Sequence, residues 1–475
     1  MTFSTQKTKI VCTIGPSSSD PGVLERMVRA GMSVARLNFA HGDRESHSKT
    51  IECIRDAGKK AQRPISILAD LPGPKIRVGE LSPDPVPLTA GEKIELTVER
   101  IVGDAGRVSV NYPQLATAVA PGDAIFLNDG FIRLKVESSD GKNVVCRVMV
   151  GGLLRSHKGV NVPGIDLGLG AVTEQDLRFL DFALDHGVDA VSVSFVQRAE
   201  DIKRVQQAIA ARGGNTFVIA KIERAMAIQE YSSIMEVTDG VMVARGDLGV
   251  ETPIHEIALL QKNLIHQANQ MAKPVITATQ MLESMTHNSR PTRAEVTDVS
   301  NAVLDGTDAV MLSEESAIGQ YPVEAVEMLA DICQATEAHR AELSSVSVSP
   351  PTSTGDPVGD AVAFDVVTAA NRLRPTLIIS HTRTGATARR ICRFKPHPWV
   401  VAFSPEQTTC QQLAFSYGVY AVHLQGKDSQ GWIEQALRWC RRQGFSKGTV
   451  ILTAGTPRAR LGGTNYLEII QLEDL

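Results

Sequence analysis

A chain of 475 residues, 43% hydrophobic and 21% charged, has an ordinary globular composition; it is too long for one compact core and suits about two to four domains. A net charge of −4 leaves no general basic field, which excludes nucleic acid as a main partner while local basic sites remain able to take small anions. The seven cysteines, Cys12, Cys53, Cys146, Cys333, Cys392, Cys410 and Cys440, lack zinc-site or redox spacing, and no apolar run is long enough to span a bilayer. The polar start, Met1 to Lys9, has no signal-peptide character, so the expectation is a soluble cytoplasmic protein with no membrane partner.

In chain order, buried-type strands are predicted at Lys9 to Ile14, Val34 to Phe39, Ile65 to Asp70, Ala190 to Val196, Phe217 to Glu223, Gly240 to Arg245, Val275 to Met281 and Ala309 to Glu314. Amphipathic helical stretches alternate with them, among them Leu24 to Ala30, Thr173 to His186 and His255 to Met271. This alternation specifies a parallel (β/α)8 TIM barrel, with an active site at the C-terminal strand ends. The third unit is interrupted after Asp70 by Pro72-Gly73-Pro74 and a turn-rich stretch with strands at Lys93 to Val98, Ala124 to Phe126, Ile132 to Val136 and Val144 to Val150. It reads as an inserted small β-barrel, a lid entered through a proline hinge. Beyond the linker Ser344 to Pro351, strands near Thr376 to Ser380, Trp399 to Phe403, Val419 to Leu424, Thr449 to Leu452 and Tyr466 to Leu472 suit an open α/β sheet. The fold class is therefore α/β, with a barrel over 1–70 and 169–343, a lid over 71–168 and a C-terminal domain over 344–475.

Two strings carry the chemistry. Lys221-Ile222-Glu223 and Ala244-Arg245-Gly246-Asp247-Leu248-Gly249 each end an apolar run with charges, which must leave the core at the rim of the barrel. Taken alone, each is equally an ordinary salt bridge at a strand end. Together they bring an ammonium beside two carboxylates able to hold a divalent cation. The rim also collects Arg36, Asn38, His41, Asp70, Arg77 and Thr279. A metal-dependent lyase or aldolase acting on pyruvate-like acids uses similar barrel carboxylates but leaves the lid and Lys158 without a task.

The chain closely resembles pyruvate kinase over nearly all its length. The resemblance is carried by Thr8 to Pro16, Val34 to Gly42, Gly73 to Arg77, Lys158 to Gly164, Lys221 to Glu223, Ala244 to Glu251, Ala278 to Met285, Pro291 to Ala302 and Tyr321-Pro322. It implies phosphoryl transfer from phosphoenolpyruvate to ADP, giving pyruvate and ATP. Residue by residue it implies Glu223 and Asp247 as ligands of Mg2+, with Mn2+ as a substitute; Lys221 and Arg36 at the transferring phosphoryl group; and Gly246 and Asp247 main-chain N–H groups at the substrate carboxylate. Thr279 falls where it orders the water that protonates the enolate, and Ser194 and Phe195 shape the pocket. Asn38, Phe39, Ala40, His41, Arg77 and Lys158 fall on the nucleotide, whose phosphates bring a second Mg2+.

Many members of the family hold potassium with an Asn, a Ser, an Asp and a backbone carbonyl near a Glu. Here Asn38, Asp70 and the Leu71 carbonyl stand at such positions, but the serine is Ala40 and the glutamate is Lys75. A tethered ammonium supplies the missing charge, and potassium is not required. In Ser313-Glu314-Glu315-Ser316 an extra acid, Glu314, precedes the usual Glu315. Thr382, Arg383, Thr384, Gly385 and Thr387 resemble the family's effector loop for a phosphorylated allosteric ligand, with Gly455 to Asn465, including Arg458 and Arg460, placed to close over it. The resemblance also implies a homotetramer.

Elsewhere the bland readings win. Glu283 and Glu295 read as salt-bridge partners and His47, His186 and His287 as structural. Asn128-Asp129-Gly130 reads as a hairpin turn.

Overall fold

Three strands, β1 (Lys9–Thr13), β2 (Met32–Asn38) and β3 (Ser66–Leu71), precede eight in the insertion. These are β4 (Val86–Leu88), β5 (Lys93–Thr97), β6 (Arg107–Ser109), β7 (Ala124–Leu127), β8 (Ile132–Ser139), β9 (Asn143–Val150), β10 (Gly152–Leu154) and β11 (Val160–Asn161). Five more follow, β12 (Ala190–Val193), β13 (Phe217–Ile222), β14 (Gly240–Ala244), β15 (Val275–Ala278) and β16 (Ala309–Leu312), and then β17 (Leu377–His381), β18 (Trp399–Ser404), β19 (Val419–His423), β20 (Thr449–Ala454) and β21 (Tyr466–Gln471). This computed structural model describes residues 3–128, 130–165, 168, 170–343, 355–424, 431–455 and 463–474. Asp129, Ser344 to Pro351, Arg458 and Arg460 lie outside the described residues.

The first three strands and β12 to β16 close into a parallel barrel in the order β1-β16-β15-β14-β13-β12-β3-β2. Each of the eight predicted strands is one of its staves. Helices cover the outside and begin where the sequence provides caps. Asp20 accepts from Gly22 and Val23 N–H ahead of Pro21–Ala30, and Thr173 forms a capping box with Asp176 ahead of Glu174–Asp185. Because side chains alternate along a strand, one set packs outward against the helices and the other points onto the barrel axis. The inward set, Val11, Val34, Leu68, Ala190, Phe217, Ile219, Met242, Ile276, Ala278, Ala309 and Met311, forms its own apolar cluster.

That cluster includes one ring from elsewhere. Phe415, fully buried in the short turn Leu413–Phe415, stacks on Phe217 with ring centroids 5.7 Å apart and closes the N-terminal end of the barrel. The five-stranded sheet to which its segment belongs has the order β19-β18-β17-β20-β21, parallel except for β21, as predicted for an open α/β sheet. The order reverses between β17 and β20, so the loops after these strands lie side by side at the switch point.

The insertion carries its own core around Ile94, Leu134 and Val148. Its main sheet runs β11-β7-β8-β9-β5-β6, and the segment at Arg77 and Val78 bridges to Gly159 at one edge and Val110 at the other, joining them into a small barrel. Its entry is pinned. Gly73 N–H donates to Asp176 Oδ1 at 3.0 Å, and at φ 64° a Cβ on Gly73 would lie 3.0 Å from the Phe195 ring, so glycine is required there. At the far end, Asn128 and Gly130 have positive φ in the β7–β8 hairpin, as the turn reading requires. Gly130 reaches the barrel: a Cβ there would stand 3.4 Å from Val250 on the helix Arg245–Glu251.

Candidate active site

Strand parity builds the site. Lys221 and Glu223 share the inward direction of Phe217 and Ile219; Arg36 follows Val34, Asp70 follows Leu68, Ser192 and Ser194 follow Ala190, and Thr13 follows Val11. The charges therefore do not leave the core as expected. They turn onto the barrel axis at its C-terminal mouth, where Arg36, Asp70, Lys221 and Glu223 are all buried. Such burial is tolerable only because the groups pair and hydrogen-bond.

Asp70 is the hub. Its Oδ2 lies 2.5 Å from Arg36 Nη2, its Oδ1 accepts from Ser192 Oγ at 2.5 Å, and Lys221 Nζ stands 3.5 Å away. Burial alone would raise its pKa, but Arg36 and Lys221 outweigh it and hold the carboxyl below the ordinary aspartate range. Arg36 Nη1 donates to Thr13 Oγ1 at 2.8 Å, while its buried Nε has no partner. The Lys221 ammonium also donates to Ser194 Oγ at 2.7 Å and meets Glu223 Oε1 at 2.9 Å. Burial disfavours its charge, yet Asp70 and Glu223 win and raise its pKa, so it stays an ammonium.

Glu223 takes its second bond from the main chain. Its Oε2 accepts from Phe195 N–H at 2.8 Å, and Phe195 sits at φ 55° with the Arg224 guanidinium over its ring. Arg224 is itself tied to Glu251 at 3.4 Å. Burial pushes the Glu223 carboxyl up; Lys221 pulls it down, and the neighbouring Asp247 carboxylate pushes it up again. Gly246 N–H donates to Thr279 Oγ1 at 2.9 Å, joining the two loops that follow β14 and β15. Thr279 and Gln280 hold left-handed φ of 68° and 54°, strained for side-chain-bearing residues. Arg245 keeps them there: Nε donates to the Ala278 carbonyl, Nη2 to the Thr279 carbonyl at 2.6 Å, and Nη1 to Asp298 at 2.7 Å.

An ammonium, a guanidinium with a spare donor and the three carboxylates of Asp70, Glu223 and Asp247 thus share the mouth of one barrel beneath a small β insertion. The family models for the pyruvate kinase barrel domain and the pyruvate kinase alpha/beta domain match residues 5–326 and 360–470. The chain belongs to the pyruvate kinase family. It is 45% identical to the pyruvate kinase of Thermococcus litoralis over 99% of this chain and 100% of that protein. It is 41% identical to that of Geobacillus stearothermophilus over 99% of this chain and 81% of the longer relative. A solved pyruvate kinase from Cryptosporidium parvum superposes with a TM-score of 0.89 at 35% identity, covering 98% of this chain and 96% of that one. The chain is a phosphotransferase of this type, and phosphoenolpyruvate, ADP and pyruvate are the family's substrates and product. No described helix is long and apolar enough to cross a membrane.

Members of the family use a divalent metal, and the mouth fits one. Glu223 and Asp247 are hard oxygen donors whose mutual repulsion a cation relieves.

Other expected pyruvate kinase residues fall as follows. Asn38 Oδ1 accepts from Ala40 N–H at 3.1 Å, and Ala40 and His41 are exposed. Phe39 has its ring buried against Phe179, Phe182 and His47, which leaves its main chain facing the loop. Leu71 likewise is core apart from its carbonyl. Arg77 and Lys158 are brought together across the insertion, with Arg77 Nη1 on the His157 carbonyl and Val78 N–H on that of Lys158. Glu295 is not a salt-bridge partner but the acceptor of a capping box, bonded to Ser284 and Thr292 through N–H and hydroxyl groups. Glu315 is buried and accepts from Leu282 and Ser313 N–H, whereas Glu314 is exposed. His47 and His186 bond main-chain carbonyls, as structural histidines do.

In the loop after β17, two of the hydroxyls are hydrogen-bonded within the fold. Thr382 Oγ1 accepts from Gly385 N–H, and Thr387 Oγ1 bonds Thr464 Oγ1 at 2.6 Å. Arg383 is exposed and turned to Glu406 at 3.3 Å. Sequence reasoning missed Thr13, Ser192, Arg224 and the Arg245–Asp298 pair. Parity within a buried strand was the available signal for Ser192; Arg245 and Asp298 had none.

Proposed function

We propose that the chain transfers the phosphoryl group of phosphoenolpyruvate to ADP at the barrel mouth, releasing ATP and, after protonation of the enolate, pyruvate. The observation that carries this is the Lys221 ammonium, held between Ser194 at 2.7 Å and Glu223 at 2.9 Å. Charge stabilisation of a group in flight needs a cation that does not reorganise, and three fixed neighbours provide that. Arg36, oriented by Thr13 and Asp70, offers its unpartnered Nε to the same phosphoryl oxygens. Glu223 and Asp247 would hold Mg2+, or Mn2+ in its place, which would supply orientation of the substrate oxygens and neutralisation of their charge. Gly246 and Asp247 N–H groups receive the substrate carboxylate. Gly246 N–H donates to Thr279 Oγ1, whose own O–H donates to the Ala278 carbonyl; substrate displaces the first bond and frees an Oγ1 lone pair to accept from the protonating water. Ser194 and Phe195 form the pocket wall.

The nucleotide lies on Asn38 to His41, Arg77 and Lys158, with a second Mg2+ on its phosphates. Ala40 and Lys75 replace a potassium site made elsewhere around Asn38, Asp70 and the Leu71 carbonyl. The barrel over 1–70 and 169–343, the lid over 71–168 and the C-terminal domain over 344–475 act as units in a cytoplasmic homotetramer. A phosphorylated metabolite at Thr382 to Thr387 changes the half-saturation for phosphoenolpyruvate, an effect that Arg383→Ala abolishes.

Pyruvate formation from phosphoenolpyruvate, followed with and without ADP and Mg2+, tests the reaction. Turnover requires both. Pyruvate release without ADP would assign the mouth to a phosphatase or lyase instead.

A further inference from the structure

The inserted β domain bears on the barrel at its entry and at its tip. At the entry, a Cβ on Gly73 would meet the Phe195 ring at 3.0 Å and the Ser194 and Ala171 carbonyls at 3.2 and 3.3 Å, so the backbone there lies directly on the loop after β12. At the tip, Gly130 stands over Val250 of the helix Arg245–Glu251. The bases under these two points are joined. Arg224 spans them, with its guanidinium 5.3 Å from the centre of the Phe195 ring and 3.4 Å from Glu251, the neighbour of Val250.

Both bases also answer to the catalytic charges. Phe195 N–H donates to Glu223 Oε2 at 2.8 Å, Ser194 Oγ accepts from Lys221 Nζ at 2.7 Å, and Arg224 follows Glu223 in the chain. Asp247, whose carboxylate repels that of Glu223, lies in the first turn of the helix that ends at Val250 and Glu251. Phe195 is 5% exposed and holds φ at 55°, a left-handed value that costs a side-chain-bearing residue energy. Glycine would give Glu223 the same N–H without that strain, whereas only a side chain can meet both Gly73 and Arg224.

We infer that Phe195 is a positioning residue that transmits the state of Glu223 to the entry of the insertion, with Arg224 bracing its ring. The inference rests on the reading of Glu223 and Asp247 as the metal pair. Those carboxylates, once held together by a divalent cation, tie the end of β13 to the helix Arg245–Glu251, the same elements that Arg224 and Glu251 already join. The Phe195 ring then gives Gly73 a firmer base, and the insertion opens less readily over the mouth.

Hydrogen exchange of the full chain, read by mass spectrometry at residues 71–78 and 130–136 with and without Mg2+ and with no other ligand, tests this. At roughly ten times its dissociation constant, Mg2+ slows exchange about tenfold in both segments. In Phe195→Gly, which keeps the N–H and suits the left-handed φ, the slowing disappears at 71–78 and persists at 130–136. A ring that served packing alone would speed exchange at 71–78 equally with and without Mg2+, and that result overturns the inference. Should Phe195→Gly fail to fold, Phe195→Leu, which keeps apolar bulk but not the flat face under Arg224, loses most of the slowing at 71–78. Calorimetry of Mg2+ binding separates the two ways of failing. No binding by the wild type, or binding unchanged in Glu223→Gln, overturns the metal reading and this inference with it; binding without slowing at 71–78, or slowing that survives in the Phe195 variants, overturns the inference alone.

Discussion

Lys221 Nζ and Glu223 Oε1 lie 2.9 Å apart on residues two positions apart in sequence, both turned onto the barrel axis. Each keeps the other's charge tolerable in a buried place. Removing the ammonium therefore does two things: it strips the transferring phosphoryl group of its cation and leaves Glu223 with Asp247 as an uncompensated acidic pair.

Lys221→Ala is expected to lower kcat by about 10²–10³ or more while the KM for phosphoenolpyruvate changes far less, because the ammonium acts on charge that develops in the transition state. Steady-state kinetics at saturating Mg2+ check this. A variant whose loss lies wholly in KM would make Lys221 a binding residue only.

Divalent-cation affinity should fall on acidification sooner than an ordinary glutamate would allow, since burial raises the Glu223 pKa and a proton competes with the metal there. The sign for stability is opposite to that of Asp70. A raised carboxyl costs the metal-free fold as pH rises through its folded value, and metal restores what is lost. Metal titrations by calorimetry across the weakly acidic range show the competition, and Glu223→Gln removes it.

Asp70, with a lowered pKa, contributes stability that is present above the ordinary aspartate range and disappears as pH falls through its folded value. Asp70→Asn leaves Arg36 and Lys221 short of a counter-charge. It should cost about 3–5 kcal/mol at neutral pH and flatten the acid limb of the profile of Tm against pH.

Phe415→Ala opens a void under the barrel where the ring now stacks on Phe217. A cost of about 3–5 kcal/mol is expected, read as a lower Tm, with kcat affected much less than by Lys221→Ala. Scanning calorimetry beside activity at low temperature separates the two effects.

Wild-type activity in tetramethylammonium buffer is expected without added potassium, and the double variant Ala40→Ser with Lys75→Glu is expected to become potassium-dependent. A strict potassium requirement in the wild type would remove the tethered-ammonium account.

The eight barrel strands were legible because each is a short β-branched apolar run, buried on both faces and bounded by charge. Four strands of the insertion were not: Val86–Leu88, Arg107–Ser109, Gly152–Leu154 and Val160–Asn161 are too short to show alternation. Phe39 stood with the nucleotide residues by family resemblance, which is blind to side-chain direction; its ring continues the apolar pattern into the core. Glu295 looked like a salt-bridge residue, although a Thr three positions earlier was the signature of a capping box.

Sequence by itself determined which chemical groups stand at the strand ends and that alternating βα units carry them to one mouth, because residue type and period are local properties of the chain. Only the tertiary structure decided that Asp70 is the hub of Arg36, Ser192 and Lys221, and that Arg245 reaches Asp298. It alone put Phe415 under the barrel and Arg224 between Phe195 and Glu251. Those relationships join residues far apart in the chain, and they depend on which buried charges find partners once water has gone.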